Sequence, residues 1–167
     1  MTIEFFPFPL HHISIMTMLE YTCISFNQLT VNDLYDIMAL RQKVFIIEQN
    51  CPYLDADGKD LFAMHLMGRD TEGELVAYTR LLPIGISYPD YASIGRVVSS
   101  DKVRGQGVGK VLMQKSITLM DKLFLNQPVK IGAQTYLLGF YTALGFVSTG
   151  EDYFEDGIPH TVMILKK

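Results

Sequence analysis

The sequence has few cysteines, no surplus of positive charge and no long apolar run. Its two cysteines, Cys23 and Cys51, stand outside any C-x-x-C or Cys/His ligand spacing, which argues against a zinc site or a disulfide scaffold. The net charge of −4 argues against a nucleic-acid or acidic-membrane binder. No apolar run reaches the roughly 18 residues that a membrane span needs. These absences favour a cytoplasmic protein and predict no metal, nucleic-acid or membrane partner.

The bulk composition is typical of one ordinary domain. The chain has 167 residues, of which 49% are hydrophobic and 19% are charged, so a normal core can form. Residues 1–17 contain apolar side chains but no basic segment, and Pro7 and Pro9 interrupt them, so we do not interpret this stretch as a signal peptide. We predict an N-terminal extension over residues 1–17 and a single domain over residues 18–167.

Hydrophobic patterning predicts elements in the order β-α-β-β-β-α-β-α-β-β. The first strand is "YTCISF", residues 21–26, in which apolar and polar residues alternate. Thr30 and Asp33 have the spacing of a capping box, which predicts a helix that runs to about Glu48. The later elements are strands at 62–70, 74–83 and 93–100, a helix that ends near Phe124, a strand at 128–134, a short helix at 135–144 and a closing hairpin around "EDGIP".

The loop at residues 50–61 carries Asp55, Asp57 and Asp60, a spacing that suggests a calcium loop. Such a loop needs glycine at its sixth position and glutamate at its twelfth. Counted from Asp55, the glycine is Gly58 at the fourth position, and the twelfth residue is Leu66. The calcium interpretation therefore fails, and we predict solvated turn carboxylates.

A second loop, "VRGQGVG" at residues 103–109, places three glycines in front of a predicted helix. The Walker phosphate loop does not fit, because Arg104 stands at its first glycine position and Val111 at its Ser/Thr position. The dinucleotide-binding fingerprint does not fit either. Lys110 stands at its third glycine position, and the preceding strands are predicted to form an antiparallel meander.

The pattern that remains is R-x-x-G-x-G, formed by Arg104, Gly107 and Gly109. Glycines expose backbone N–H groups without side-chain obstruction, and a helix N-terminus adds about half a positive charge. Together with the charges of Arg104 and Lys110, these groups form an anion site suited to a pyrophosphate. A tight turn at a helix entry needs only one glycine, so the three glycines favour the anion site.

This loop resembles the acetyl-CoA pyrophosphate loop of the GNAT acetyltransferase superfamily. Further segments follow in the order expected of that superfamily and resemble its ElaA-like branch; they are "LRQKVFIIEQNCPYLDADGKD", "LVAYTRLL", "IGRVV", "IGAQ", "FYTALGF" and "EDYFEDGIPHTVM". The resemblance covers roughly residues 18–167. It implies an α/β (α+β) fold with a mixed, mostly antiparallel sheet of six to seven strands, flanked by helices, whose fourth and fifth strands splay apart.

The resemblance implies an acetyl-CoA-dependent N-acetyltransferase that uses no metal and forms no covalent enzyme intermediate. Acetyl-CoA is the co-substrate, and a small-molecule or peptide amine attacks its thioester directly. An N–H group near Val98 would stabilise the negative charge that develops on the thioester oxygen. The residues implied to contact acetyl-CoA are Val97, Val98, Ser99, Arg104, Gly105, Gln106, Gly107, Val108, Gly109, Lys110 and Gln134.

The same resemblance implies that Tyr141 is the general acid that protonates the leaving CoA thiolate. The general base that takes the proton of the amine is left open. The leading candidates are Glu48, at the end of the first helix, and His160, on the closing hairpin. His65 and Glu155 are further candidates, although we expect His65 to be a strand histidine and Glu155 to lie in a solvated turn.

Arg41, Arg80 and Arg96 have two interpretations. They form structural ion pairs, in which Glu48 or another acid is the partner of Arg96, or they bind an acidic acceptor.

The function also has alternatives: a non-catalytic acyl-CoA-binding regulatory module, against which the intact Tyr141 argues, and a generic nucleotide binder. The sequence leaves open whether the acceptor is a polyamine, an amino sugar, a peptide N-terminus or a lysine. It also leaves open whether the protein is a homodimer in which the N-terminal extension packs on a neighbour.

Overall fold

The computed structural model describes residues 18–125 and 127–166, so the extension predicted over residues 1–17 lies outside the described residues. The described part contains seven strands and three α-helices in the predicted order. Their bounds are β1 Glu20–Ser25, α1 Val31–Arg41, β2 Met64–Arg69, β3 Leu75–Leu82, β4 Ala92–Ser99, α2 Val108–Leu123, β5 Val129–Gln134, α3 Leu138–Thr142, β6 Val147–Glu155 and β7 Ile158–Leu165. None of the helices in this part of the chain is long and apolar enough to cross a membrane.

The strands form one mixed sheet in the order β1-β2-β3-β4-β5-β7-β6. Every neighbouring pair is antiparallel except β4 and β5, which are parallel. The chain passes from β4 to β5 through α2, as a parallel crossover requires. The prediction of a mixed, mostly antiparallel sheet of six to seven strands is confirmed, with seven strands among the described residues.

Helix α1 begins at the predicted capping box. The Thr30 hydroxyl oxygen accepts a hydrogen bond from the Asp33 N–H at 3.0 Å, and the Asp33 carboxylate accepts one from the Thr30 N–H at 3.1 Å. These bonds satisfy N–H groups that the start of a helix leaves unpaired. The helix continues as a π-helical segment, Gln42–Glu48, so the helical stretch ends at Glu48 as predicted.

The two longer helices cover the two faces of the sheet. Ile37 of α1 packs in one core cluster with Tyr78 and Val98. Met113 of α2 packs in another cluster with Ile94. Because both faces are covered, a central strand is apolar on both sides, and every residue of β3 is buried.

Strands β4 and β5 separate soon after they start. Among the described residues, their pairing ends at Ser93 opposite Lys130. Strand β5 pairs on its other side with β7, as far as Gln134 opposite His160. Residues 94–99 of β4 therefore border an opening instead of a strand partner, which confirms the predicted splay.

Candidate active site

A cleft of about 1050 Å³ opens where β4 and β5 separate. Its lining comes from these two strands, the end of the π-helical segment, the loop that follows it, α3 and the β6–β7 hairpin. Among its lining residues are nine residues predicted to contact acetyl-CoA or to act as acid or base: Glu48, Val97, Val98, Ser99, Arg104, Gln134, Tyr141, Glu155 and His160. The fold thus brings together chemical groups from widely separated parts of the sequence.

Strand β4 contains a bulge where it borders the cleft. Its pairing with β3 shifts between Gly95 and Val98, so that Arg96 and Val97 together lie opposite one residue of β3. Arg96 has a left-handed φ of 51°. Residues three apart in a regular strand face opposite sides. Because the bulge adds a residue, Ile94 and Val97 instead pack on the same core cluster.

The splay and the bulge together decide which backbone groups face the cleft. Backbone N–H and C=O groups of a strand point sideways to its neighbours, and β4 has no neighbour on the β5 side beyond Ser93. Val97, Val98 and Ser99 line the cleft, and among the described residues the backbone groups of this edge that point toward β5 have no partner in that strand. An N–H group in this position can bind a carbonyl oxygen of a ligand.

The glycine loop follows β4 and leads into α2. Gly105 and Gly107 have left-handed φ values of 75° and 79°, and Gly107 directly precedes the first residue of α2. A Cβ added at Gly105, Gly107 or Gly109 would meet no atom within 4 Å, so the space beside this backbone is open. Within the described residues, no backbone carbonyl accepts from the N–H groups of these glycines or of Val108. Open space, unpaired N–H groups and a helix N-terminus fit a pyrophosphate.

The other residues of this loop differ in what they offer to a ligand. Lys110 is exposed, whereas Gln106 is half-buried and donates a hydrogen bond to the Lys102 carbonyl at 3.0 Å. The side chain of Val108 is buried in the core, so only its backbone is available. Gln106 and Val108 also border a second cavity of about 310 Å³ beside α2.

Two side-chain contacts connect the end of the π-helical segment with the cleft. The Arg104 guanidinium lies 2.7 Å from the Glu48 carboxylate, and it also donates to the Ser99 carbonyl at 3.0 Å. Gln134 donates to the side-chain oxygen of Gln49 at 3.3 Å. Glu48, a predicted base, is therefore engaged in an ion pair with a residue predicted to contact acetyl-CoA.

Tyr141 lies in the wall of the cleft with 7% of its surface exposed. Its ring packs edge-on against Phe140 and Phe146, with centroid distances of 5.1 Å and 5.9 Å. Burial raises the pKa of Tyr141 to about 12, so the phenol keeps its proton at neutral pH. A protonated hydroxyl at the cleft has the chemistry of a general acid.

The structure separates the two histidine candidates. His65 lies fully buried in β2, where Nδ1 is 2.8 Å from the Tyr78 hydroxyl and Nε2 is 3.0 Å from the Asp60 carbonyl oxygen. Burial lowers the pKa of His65, which is a strand histidine as expected. Both of its ring nitrogens are occupied, and it does not line the cleft.

His160 has a different arrangement. Its Nδ1 lies 2.8 Å from the Ile158 carbonyl oxygen, an acceptor, so the neutral ring carries its hydrogen on Nδ1. Nε2 then keeps a lone pair, with the Glu155 carboxylate 3.9 Å away. His160 lines the cleft, and Tyr153 stacks on its ring at 5.5 Å. This geometry suits a base that accepts a proton at Nε2.

Two of the three aspartates in the loop at residues 50–61 are buried where the sequence predicts a solvated turn. Asp55 and Asp60 are only 5% and 9% exposed. The three aspartates bind three arginines from α1, β3 and β4, and we call these six residues the arginine–aspartate network: Asp55, Asp57, Asp60, Arg41, Arg80 and Arg96. The prediction of solvated carboxylates is wrong for Asp55 and Asp60, because distant arginines supply the partners that allow these charges to be buried, whereas Asp57 stays exposed.

The network confirms the structural interpretation of the arginines. Arg41 places Nε 2.7 Å from Asp55 and Nη1 2.7 Å from Asp60. Arg80 binds both carboxylate oxygens of Asp57, at 2.6 Å and 2.7 Å. The partner of Arg96 is Asp55, at 2.6 Å.

Electrostatics keep the network charged. Burial by itself raises the pKa of Asp57, but the hydrogen bonds and charge of Arg80, the Lys59 N–H and the charge of Arg96 together outweigh burial and hold this pKa well below its ordinary value. Burial likewise opposes ionisation of Asp60, and Arg41 reverses the effect, so that its pKa also falls. The same balance raises the pKa of Arg41, because its hydrogen bonds to the Asp60 and Asp55 carboxylates and the charge of Asp60 together outweigh burial.

The cleft also holds residues that the sequence analysis did not single out. Tyr153 stacks on His160, and its hydroxyl lies against Gly132 of β5, where any side chain would overlap it. The Lys130 ammonium lies 4.8 Å from the centre of the Tyr88 ring. Side chains alternate between the two faces of β6, so Tyr153 lies on the same face as its acidic neighbours at 151 and 155. This alternation is the sequence feature that could have indicated Tyr153.

Comparison with known proteins identifies the family. The model of the acetyltransferase (GNAT) domain family matches residues 60–167. Protein ElaA of Escherichia coli is 41% identical over 148 residues, which cover 87% of this chain and 95% of that protein. A UPF0039 protein of Synechocystis is 40% identical over 141 residues, which cover 84% of this chain and 91% of that protein.

Solved structures indicate the same family. The crystal structure of an acyl-CoA N-acyltransferase from Pseudomonas aeruginosa matches with a TM-score of 0.82 and 41% identity, over 88% of this chain and 99% of that chain. The crystal structure of Escherichia coli ElaA also has a TM-score of 0.82, with 39% identity over 90% of this chain and all of that chain. The chain therefore belongs to the GNAT acetyltransferase family and, within it, to the ElaA-like proteins.

Proposed function

We propose that this protein is an acetyl-CoA-dependent N-acetyltransferase that transfers the acetyl group to a primary amine by direct attack on the thioester. The observation that carries the proposal is the opening between β4 and β5, which ends beside the glycine loop at the start of α2. This arrangement offers one extended site for a long ligand with an anionic end. We propose that the reaction takes place in the cytoplasm.

Binding of acetyl-CoA uses backbone groups more than side chains. The N–H groups of Gly105, Gly107 and Gly109 bind the pyrophosphate, and Arg104 and Lys110 add positive charge. The thioester then lies along the unpaired edge of β4. An N–H group of this edge, near Val98, donates to the thioester oxygen and stabilises the negative charge that develops there.

Two proton transfers complete the reaction. The amine must be neutral to attack, so His160 Nε2 takes its proton, directly or through water. A bond forms between the amine nitrogen and the acetyl carbon while the carbon–sulfur bond breaks, the nitrogen loses its second proton to solvent as the amide forms, and His160 returns its proton to solvent. Tyr141 gives its proton to the leaving thiolate and recovers one from solvent. Glu48 is the second candidate base, although its ion pair with Arg104 occupies its carboxylate.

The first test measures binding of acetyl-CoA by calorimetry, with ATP and NAD as controls. Gly109→Glu is the best loop variant, because Gly109 has an ordinary backbone conformation and open space beside it, so the new side chain adds charge without strain. We expect saturable binding of acetyl-CoA that weakens at least about tenfold in Gly109→Glu. Gly109→Gln is the matched control and should bind more tightly than Gly109→Glu. No binding by the folded wild-type protein would overturn the proposal.

The second test measures turnover on a panel containing a polyamine, an amino sugar, a peptide N-terminus and a lysine peptide. We expect Tyr141→Phe and His160→Gln each to lower kcat by about 10²-fold or more, the ordinary size of a general acid–base contribution, while leaving acetyl-CoA affinity nearly unchanged. Acetyl-CoA binding with no turnover of any amine would instead favour a non-catalytic acyl-CoA-binding regulatory module.

A further inference from the structure

Arg96 combines an unusual backbone with a fixed side chain. Three non-glycine residues of the described chain have positive φ: Asn50, Arg96 and Asp156. Asparagine and aspartate adopt this conformation relatively easily, whereas a long side chain such as arginine adopts it rarely. Surrounding contacts must therefore hold residue 96 in place.

Those contacts come from the arginine–aspartate network. Arg96 Nε lies 2.6 Å from the Asp55 carboxylate, and Nη2 donates to the Asp55 carbonyl oxygen at 3.3 Å. Nη2 also lies 3.5 Å from Asp57, and the guanidinium lies 5.8 Å from the centre of the Tyr53 ring. The side chain is bound at several points, so residue 96 cannot rotate without breaking them.

Asp55 is itself held by the core. Its second carboxylate oxygen binds Arg41 Nε at 2.7 Å, and its carbonyl oxygen accepts from Arg41 Nη2 at 3.0 Å. Arg41 is fully buried at the end of α1. The position of Arg96 is therefore tied, through one aspartate, to a helix that packs on the sheet.

We propose that Asp55 and Arg96 are positioning residues for the oxyanion site: Asp55 fixes the Arg96 side chain, which holds the β4 bulge and thereby the direction of the backbone N–H groups that follow it on the cleft edge. This inference rests on the proposed acetyltransferase function. The bulge is what places Val97 on the same side as Ile94. Relaxation of residue 96 to an ordinary strand conformation would turn the following peptide groups away from their present direction.

The decisive comparison is between Arg96→Ala and Arg96→Gly. Both remove the contacts to Asp55, but glycine adopts a positive φ at no steric cost, whereas alanine does not. We expect kcat to fall about tenfold or more in Arg96→Ala and less in Arg96→Gly, with acetyl-CoA affinity within about threefold of wild type in both. An alanine variant with wild-type kcat, or a glycine variant no better than alanine, would overturn the proposal.

A spectroscopic readout makes the test independent of turnover. The infrared stretch of acetyl-CoA labelled at its thioester carbonyl should shift to lower frequency on binding to wild type, and shift less in Arg96→Ala. Bound acetyl-CoA with the same frequency in both proteins would overturn this inference and leave the proposed function standing. No acetyl-CoA binding by wild type would overturn both.

Two further variants separate positioning from stability. Arg69, on β2, also binds two aspartates, Asp33 and Asp36, but away from the cleft, so Arg69→Ala should lower the Tm without changing kcat or the carbonyl frequency. If Arg96→Ala and Arg96→Gly do not fold, Arg96→Lys retains the positive charge but loses the multiple contacts of the guanidinium. We expect a reduced kcat and carbonyl shift in Arg96→Lys, and wild-type values for both would overturn the proposal.

Discussion

The substitution Gly132→Ala tests how tightly the cleft is packed around His160. A methyl group at Gly132 would overlap the Tyr153 hydroxyl oxygen and lie 3.2 Å from Cζ of the same ring. Carbon and oxygen atoms in ordinary contact are roughly 3.5 Å apart, so the hydroxyl must retreat by about 1–2 Å. Tyr153 is half-buried on the edge strand β6, so its ring can move. Any such movement disturbs its stacking on His160.

The expected loss of stability follows from two opposing effects. Overpacking costs about 1–3 kcal/mol, while replacing glycine in a strand gains about 0.5–1 kcal/mol. We therefore expect Gly132→Ala to lower the free energy of unfolding by about 1 kcal/mol. Activity should fall more than this small loss of stability would suggest, because the Tyr153 ring no longer supports His160.

Urea denaturation of four proteins measures the effect: wild type, Gly132→Ala, Tyr153→Phe and the double variant. Phenylalanine lacks the hydroxyl that the methyl group would overlap, so Gly132→Ala should cost less in the Tyr153→Phe background. We expect a coupling free energy of about 1 kcal/mol between the two positions. Equal costs in both backgrounds would refute the packing argument.

Three more predictions concern charge and protonation. Arg41→Met should lower the free energy of unfolding by about 3–5 kcal/mol because it breaks a buried network, whereas Arg69→Met, at a partly exposed site, should cost no more than about 1 kcal/mol; similar losses in urea denaturation would contradict this. The folded-state pKa values of Asp57 and Asp60 are lowered, so their stabilisation is complete above the unfolded pKa of about 4 and is lost as pH falls through the folded values. Unfolding at about pH 7, 5 and 3 should show a decline only below about pH 5, and equal stability at pH 7 and 3 would contradict it. Because the pKa of Tyr141 is raised to about 12, kcat should not decline at the ordinary tyrosine value of about 10, and a decline there that Tyr141→Phe abolishes would contradict the raised pKa.

Several features of the fold follow from neighbouring residues and were predictable. The start of α1 needs only Thr30 and Asp33, which bond each other across one turn. The β6–β7 turn needs only Asp156 and Gly157, whose φ values of 50° and 81° suit the two-residue hairpin that Asp-Gly favours. Such features depend on hydrogen bonds and backbone preferences within a few positions, so a sequence pattern records them directly.

The candidate site was predictable to a smaller extent. The family resemblance placed Tyr141, His160 and Gln134 in one site, and all three line the cleft. Patterning alone did not indicate that Tyr153 stacks on His160, since that contact depends on the register between β6 and β7. A one-residue change of register would turn Tyr153 to the other face of the sheet.

Residue patterns alone predict the order of the elements, the capping box of α1, the glycine-rich anion loop before α2 and the membership in the acetyltransferase family. Long-range packing establishes the partners of Asp55, Asp57 and Asp60, the bulge at Arg96 and the ion pair between Glu48 and Arg104. The physical reason is the range of the interactions. Periodicity and capping depend on near neighbours in the sequence. A buried charge instead pairs with the opposite charge that the folded sheet brings beside it. Residues 41, 80 and 96 reach the loop only through the packing of β3, β4 and α1.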